Sequence, residues 1–131
     1  MFVDASALTA MMTNENDARE LLARLQNYSQ RITSPLAVWE TAVAVARILD
    51  VSIEDARSAT RDFLQLTGIA VVAVAPETSD IALGAYARYG KSRHPAALNF
   101  GDCFAYACAR HHFVPLLYKG DDFPQTDIAT A

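Results

Sequence analysis

Gly68-Ile-Ala-Val-Val-Ala-Val-Ala-Pro76 is the stretch that decides the fold. Its centre, Ala70 to Val74, is continuous, apolar and rich in β-branched residues, with glycine before it and proline after it. Such a run reads as a strand buried on both faces, as in a parallel sheet. On its upstream side, Ser52-Ile-Glu-Asp55 looks like a capping box opening a helix that runs to about Leu66 and stops at Thr67-Gly68. On its downstream side a second helix is expected from about Glu77 to Tyr89. A strand set between two helices is the repeating unit of an α/β fold.

The remaining segments extend that pattern. Phe2-Val3-Asp4 reads as a short buried strand, followed by a helix from about Ser6 to Met12. Ala18, Leu21, Leu22 and Leu25 recur at i, i+3, i+4 and i+7, marking an amphipathic helix over about 15–27. Arg31-Ile-Thr33 is a candidate strand, and Ser34-Pro35 supplies an N-cap and a first-turn proline for a helix to Leu49. Gly90 to Asn99 is a loop, Gly101 to His112 a helix, Val114 to Tyr118 a strand, and Thr126 to Ala129 a short last strand. Strands alternating with helices imply right-handed crossovers, hence a mainly parallel sheet with helices on both faces. Residues 1–131 read as a single domain, with no repeat, low-complexity tract or linker.

Acidic residues punctuate this scheme at particular places. Asp4 ends the first strand, Glu40 lies in Val38-Trp-Glu-Thr-Ala42, Asp102 opens a helix in Asn99-Phe-Gly-Asp-Cys-Phe104, and Asp121-Asp122 follows Leu116-Leu-Tyr-Lys-Gly120. In a parallel sheet the strand C-termini and the following helix N-termini share one edge, where ligands bind. Asp4, Glu40 and Asp121 fall on that edge by topology. Asp102 joins them if the loop through His94 returns its helix there, where the helix dipole favours its charge. A lone carboxylate in apolar sequence is costly to bury, and several in one cleft repel one another. They must share protons or bind a cation. Oxygen ligands alone, with no His or Cys in the pattern, suit Mg²⁺ or Mn²⁺. The chemistry expected of such a site is metal-assisted hydrolysis of a phosphodiester.

Each acid also has a plainer explanation. Asp4 and Asp102 fit helix caps, Glu40 a half-buried structural glutamate, and Asp121 or Asp122 a Gly-Asp-Asp turn. Any one of these suffices for one residue; four together at one sheet edge are better explained as a site. Ser6 fits a hydrogen bond to Asp4 and N-capping equally well. His94, His111 and His112 lack metal spacing with the acids, and no phosphate-binding glycine loop or Gly-x-Ser-x-Gly motif is present. Arg88-Tyr-Gly-Lys-Ser-Arg-His94 is the most basic run and leads towards Asp102, a natural place to hold RNA phosphates.

Composition narrows the class. Hydrophobic residues are 52% and charged residues 20% of 131, which favours a compact fold over disorder. A formal charge of −4 excludes broad clamping of a polyanion by the whole surface. Cys103 and Cys108, five apart in a helical segment, match no zinc or redox spacing and read as buried thiols of a reducing cytoplasm. No leader is visible, and the run Ile69 to Ala75 is too short to cross a bilayer. In the helix from Pro35 to Leu49 only Glu40, Thr41 and Arg47 break the apolar run after Leu36, so either part of it faces a partner chain or it is a central helix covered on most sides.

Four segments resemble the ordered motifs of a known family. Phe2-Val-Asp-Ala-Ser6, Trp39-Glu-Thr41, Leu98-Asn-Phe-Gly-Asp-Cys-Phe-Ala-Tyr-Ala107 and Leu116-Leu-Tyr-Lys-Gly-Asp-Asp-Phe123 are similar to those of PIN-domain ribonucleases, most of all the VapC-type toxins of bacterial toxin–antitoxin pairs. The resemblance covers essentially the whole chain. It implies a three-layer α/β/α PIN fold, Mg²⁺- or Mn²⁺-dependent endoribonuclease activity, a homodimer, and inhibition by a cognate VapB-like antitoxin. Carried over by position, the acidic set is Asp4, Glu40, Asp102 and Asp121, with Asp122 the alternative for the fourth. The competing expectation is a PIN-like module that binds without cutting. A phosphoacceptor receiver domain is disfavoured, because it would want an aspartate where Ala75-Pro76 follows the third strand.

Overall fold

The computed structural model describes residues 1–131. Four short strands, β1 (Phe2–Val3), β2 (Ile32–Thr33), β3 (Ala70–Val71) and β4 (Leu116–Leu117), alternate with six helices. These are α1 (Ala5–Met12), α2 (Ala18–Gln26), α3 (Pro35–Leu49), α4 (Ile53–Thr67), α5 (Thr78–Tyr89) and α6 (Phe100–His111). The sheet runs in the order β3-β2-β1-β4, and every pairing is parallel. The N-terminal strand is therefore central. Phe2 lies opposite Ile32 on one side and Leu116 on the other.

Successive strand residues point to opposite faces, and the chain uses this to build two cores. Phe2, Ile32 and Leu116 pack against Ala82 and Ala85 of α5 and the small-residue face of α6. Met1, Val3 and Leu117 pack against Leu8 and Met11 of α1, Leu21 and Leu25 of α2, and Leu64 of α4. Three layers result, helices on both faces of one sheet, as the α/β reading expects. The small residues of α6, Ala105, Ala107 and Ala109, let that helix lie close to the strands.

Helix starts follow the caps written in the sequence. Ser34 Oγ accepts from the Ala37 amide at 3.2 Å, with Pro35 in the first turn of α3. Ser52 accepts from the Asp55 amide at 3.1 Å, so α4 has half of the expected box. The complete reciprocal box is at α6. Asn99 Oδ1 accepts from the Asp102 amide at 3.0 Å, and Asp102 Oδ2 accepts from the Asn99 amide at 2.9 Å.

Two strand expectations need correction. The run Ala70–Val74 is not a fully buried strand: only Ala70 and Val71 pair, both are exposed, and β3 is the open edge of the sheet. Val72 and Val74 still pack on the α5–α6 side, while Val71 faces outwards beside α3 and α4. Residues 126–129 form no strand; a single bridge from Leu116 to Thr130 closes the outer side of β4. Ile128 is instead buried as a core side chain. Cys103 and Cys108 are both free and buried, and burial pushes both thiols up to about 11. No helix is long and apolar enough to cross a membrane.

Candidate active site

Asp4 leaves the central strand directly into α1. Its amide donates to the Leu117 carbonyl at 2.9 Å, continuing the β1–β4 ladder, and its side chain caps α1. Oδ2 accepts both the Ser6 amide at 3.0 Å and the Ser6 hydroxyl at 2.5 Å. Ser6 Oγ in turn accepts the Lys119 amide at 3.0 Å. One hydroxyl thus joins the end of β1 to the turn that follows β4. Capping and site-building are the same contact here, so the plain and functional readings of Asp4 do not compete.

Asp4, Glu40 and Asp102 line one cavity of about 480 Å³, together with Ser6, Asn99 and Lys119. The loop through His94 does return α6 to the ligand edge. It is closed by a bridge between Gly90 and Leu98, which sets Asn99 and Asp102 at the start of the helix. Glu40 reaches the cavity from α3, and its carboxylate lies against Gly101. A Cβ on that glycine would stand 2.7 Å from Glu40 Cδ, closer than real contacts allow. Gly101 was not singled out as a site residue in the sequence. The signal it carried was a helix-weakening residue placed inside a first turn, directly before the acid.

The electrostatics agree with the geometry. Asp4 is 3% exposed, and burial pushes its carboxyl up against the opposing pull of the Ser6 and Ala5 hydrogen bonds. Burial, then the charges of Asp4 and Asp102, raise Glu40 to about 7. Burial likewise raises Asp102 to about 6, offset by the Asn99 amide and reinforced by Asp4 and Asp122. Asp4 makes both of the others harder to ionise, and Asp102 does the same to Glu40, which is the state a cation would reverse. Asp121 and Asp122 are both exposed in the turn after β4, outside the cavity wall. Of the two, Asp122 is the one whose charge is felt at Asp102. Asp121 uses its backbone carbonyl to accept from the Gln125 side-chain Nε2 at 2.9 Å.

No three His, Cys, Asp or Glu side chains close around a common point as a preformed set of ligands. The donor chemistry nonetheless fits a hard cation. Mg²⁺ keeps several waters and takes only one or two carboxylates, so it needs repelling oxygens in a shared cavity rather than a closed cage. Lys119 does not neutralise the acids, because its ammonium is bound to Glu15 and lies 3.4 Å from Asp17.

Part of the basic run is engaged in local structure. Arg88 Nη2 donates to the Tyr106 hydroxyl at 3.2 Å and lies 3.7 Å from Asp127, and Arg93 stacks over the Tyr86 ring. Tyr106 donates to Asp127 at 2.7 Å, and Arg110 pairs with the same carboxylate at 2.6 Å. None of residues 88–94 lines the acidic cavity.

A parallel sheet with helices on both faces and this acidic edge defines an α/β protein with a ligand site at its strand ends, and comparison with protein families matches residues 1–129 to the PIN domain. A VapC ribonuclease of Mycobacterium bovis is 39% identical over 131 residues, covering 99% of this chain and 97% of that one. A VapC ribonuclease of Rhizobium meliloti is also 39% identical, over 97% of this chain and 98% of its own. The chain belongs to the PIN-domain family and, within it, to the VapC ribonucleases. The crystal structure of Mycobacterium tuberculosis VapC20, described as a sarcin-ricin loop cleaving toxin, has the same fold, with a TM-score of 0.75 over 99% of this chain and 97% of that one at 18% identity.

Proposed function

We propose that this chain is the toxin of a type II toxin–antitoxin pair, a cytoplasmic endoribonuclease that cuts RNA with Mg²⁺, or Mn²⁺ in its place, and so limits translation or growth. The observation that carries the reading is the shared cavity of Asp4, Glu40 and Asp102, in which the charge of Asp4 raises both of the others and that of Asp102 raises Glu40. The fourth acid comes from the Asp121-Asp122 turn, and the reach of Asp122 to Asp102 favours it over Asp121. A divalent cation bound there supplies charge neutralisation at the scissile phosphate and activates water for attack. Asp4 is oriented by Ser6 and Asp102 by the reciprocal box with Asn99, while Glu40 lies against Gly101. Two carboxylates oriented by their own hydrogen bonds beside a third suit a positioned hydrolytic site.

Two apolar surfaces support two protein partners. Trp39, 68% exposed, forms a groove with Val38, Val43, Ile53 and Val71 one residue away from Glu40, and suits the apolar segment of a VapB-like antitoxin. Leu83, Tyr86, Phe100 and Phe104 form a second groove between α5 and α6, and suit a homodimer contact.

The test is to map RNA ends after brief induction of the wild-type protein and of Asp102→Asn. New ends are expected only with the wild type. In parallel, millimolar Mg²⁺ or Mn²⁺ should raise the thermal midpoint of the purified protein by mass action. Cleavage by Asp102→Asn, or indifference to both ions, would refute the reading.

A further inference from the structure

We infer that Arg47 is the residue that holds an RNA backbone phosphate beside the acidic cluster. Arg47 lines the same cavity as Asp4, Glu40 and Asp102. It lies seven residues after Glu40 on α3, two turns along the same face, with Ala44 also in the cavity wall between them. Its side chain is exposed and makes no ion pair, since the ion pairs of the chain belong to Arg88, Arg110 and Lys119.

Elimination among the other cations strengthens the case. A chain of net charge −4 needs a local cation to hold a polyanion at an acidic site. Lys119 is at the cavity but committed to Glu15 and Asp17. Arg88 is committed to Asp127, Arg93 lies over Tyr86, and neither reaches the cavity. Arg47 alone is both in the cavity wall and free. A guanidinium is also the group that matches a phosphodiester, offering two parallel donors to its two outer oxygens. The competing role is local: Arg47 sits in the last turn of α3, where any cation is favoured by the helix dipole.

The inference rests on the ribonuclease reading, and one experiment separates the two. A short fluorescein-labelled single-stranded RNA is titrated with the Asp102→Asn chain, alone and with Arg47→Ala or Lys91→Ala added, at several salt concentrations. Arg47→Ala should weaken binding about tenfold at low salt, as loss of a charge-assisted contact does. It should also flatten the slope of log affinity against log salt by about 0.7, one phosphate's worth of counterion release. Arg47→Lys should keep most of the slope. An unchanged affinity and slope, a change in thermal midpoint alone, or a slope lost in Lys91→Ala and kept in Arg47→Ala would each overturn it. RNA cut by the Asp102→Asn chain is seen separately on a gel and counts against the catalytic site, not against the Arg47 contact.

Discussion

The carboxylate of Glu40 rests on the α-carbon of Gly101, with no room between them for a methyl group. Glu40 belongs to α3 and Gly101 to the first turn of α6, so two helices that each carry an acid of the cavity meet at this contact. A side chain at 101 has to move the glutamate, the helix, or both.

Gly101→Ala should therefore slow RNA cleavage on the order of 10²-fold, because a shift of about 1 Å in a positioned group costs that much. Helix propensity alone would make the same change favourable by roughly 1 kcal/mol. A shorter acid should restore room, so Glu40→Asp in the Gly101→Ala background should recover part of the lost rate. Cleavage assays on the four combinations decide it; a wild-type rate for Gly101→Ala would remove the glycine from the site.

The acids should behave as a unit. Asp4→Asn, Glu40→Gln and Asp102→Asn are each expected to abolish most cleavage, and a double substitution to cost little more than one. In the turn after β4, Asp122→Asn should slow cleavage more than Asp121→Asn, following the charge felt at Asp102. Single-turnover rates measure this. Independent, additive losses would contradict a shared site.

Stability should carry the signature of raised carboxyls. Glu40 is lifted from 4.5 to about 7 by burial and by its acidic neighbours. Between those values the folded chain binds more protons than the unfolded one, so this contribution is present below pH 4.5 and is lost as pH rises towards 7. In chelator, Glu40→Gln should raise the thermal midpoint at pH 7.5 and change it little near pH 4.5. Scanning calorimetry across that range checks the sign. Equal effects at both ends would mean that Glu40 ionises freely.

An antitoxin that seats an apolar segment beside Trp39 should also present Arg or Lys to the carboxylates. Losing that basic side chain should cost on the order of 2–5 kcal/mol of binding, most of it from leaving a desolvated charge unpaired. Asp102→Asn should weaken the pair as well, although the apolar groove is untouched. Calorimetry on the co-purified partners measures both. Equal affinities would assign inhibition to steric cover.

Most helices were legible to within a residue because their ends are written locally, in Ser34-Pro35, Ser52 and Asn99, whereas α2, expected over 15–27, spans Ala18–Gln26 and has no side-chain cap. Sheet burial was not. Ala70–Val74 is apolar throughout, yet whether a strand is central or at an edge depends on which distant segments pair with it. The acidic residues stood out because isolated charges in apolar sequence have few bland explanations. Gly101 and Arg47 did not, since one acts by lacking a side chain and the other by lacking a partner. Both properties exist only once α3 and α6 face the same cavity. Charge density along a chain likewise does not reveal that Arg88 lies beside Asp127.

The central place of β1 has a consequence for how the protein comes into being. Phe2 pairs with Ile32 early in the chain but also with Leu116 near its end, and Asp4 leans on the Leu117 carbonyl and, through Ser6, on Lys119. A nascent chain still short of β4 lacks one whole side of its first strand, and closing so long a loop is slow compared with forming local helices. During synthesis the helical segments can form as they emerge, while Asp4 and Asp102 stay apart. The acidic cavity is therefore completed only once β4 has joined the sheet, so its formation is tied to one of the longest-range pairings in the chain.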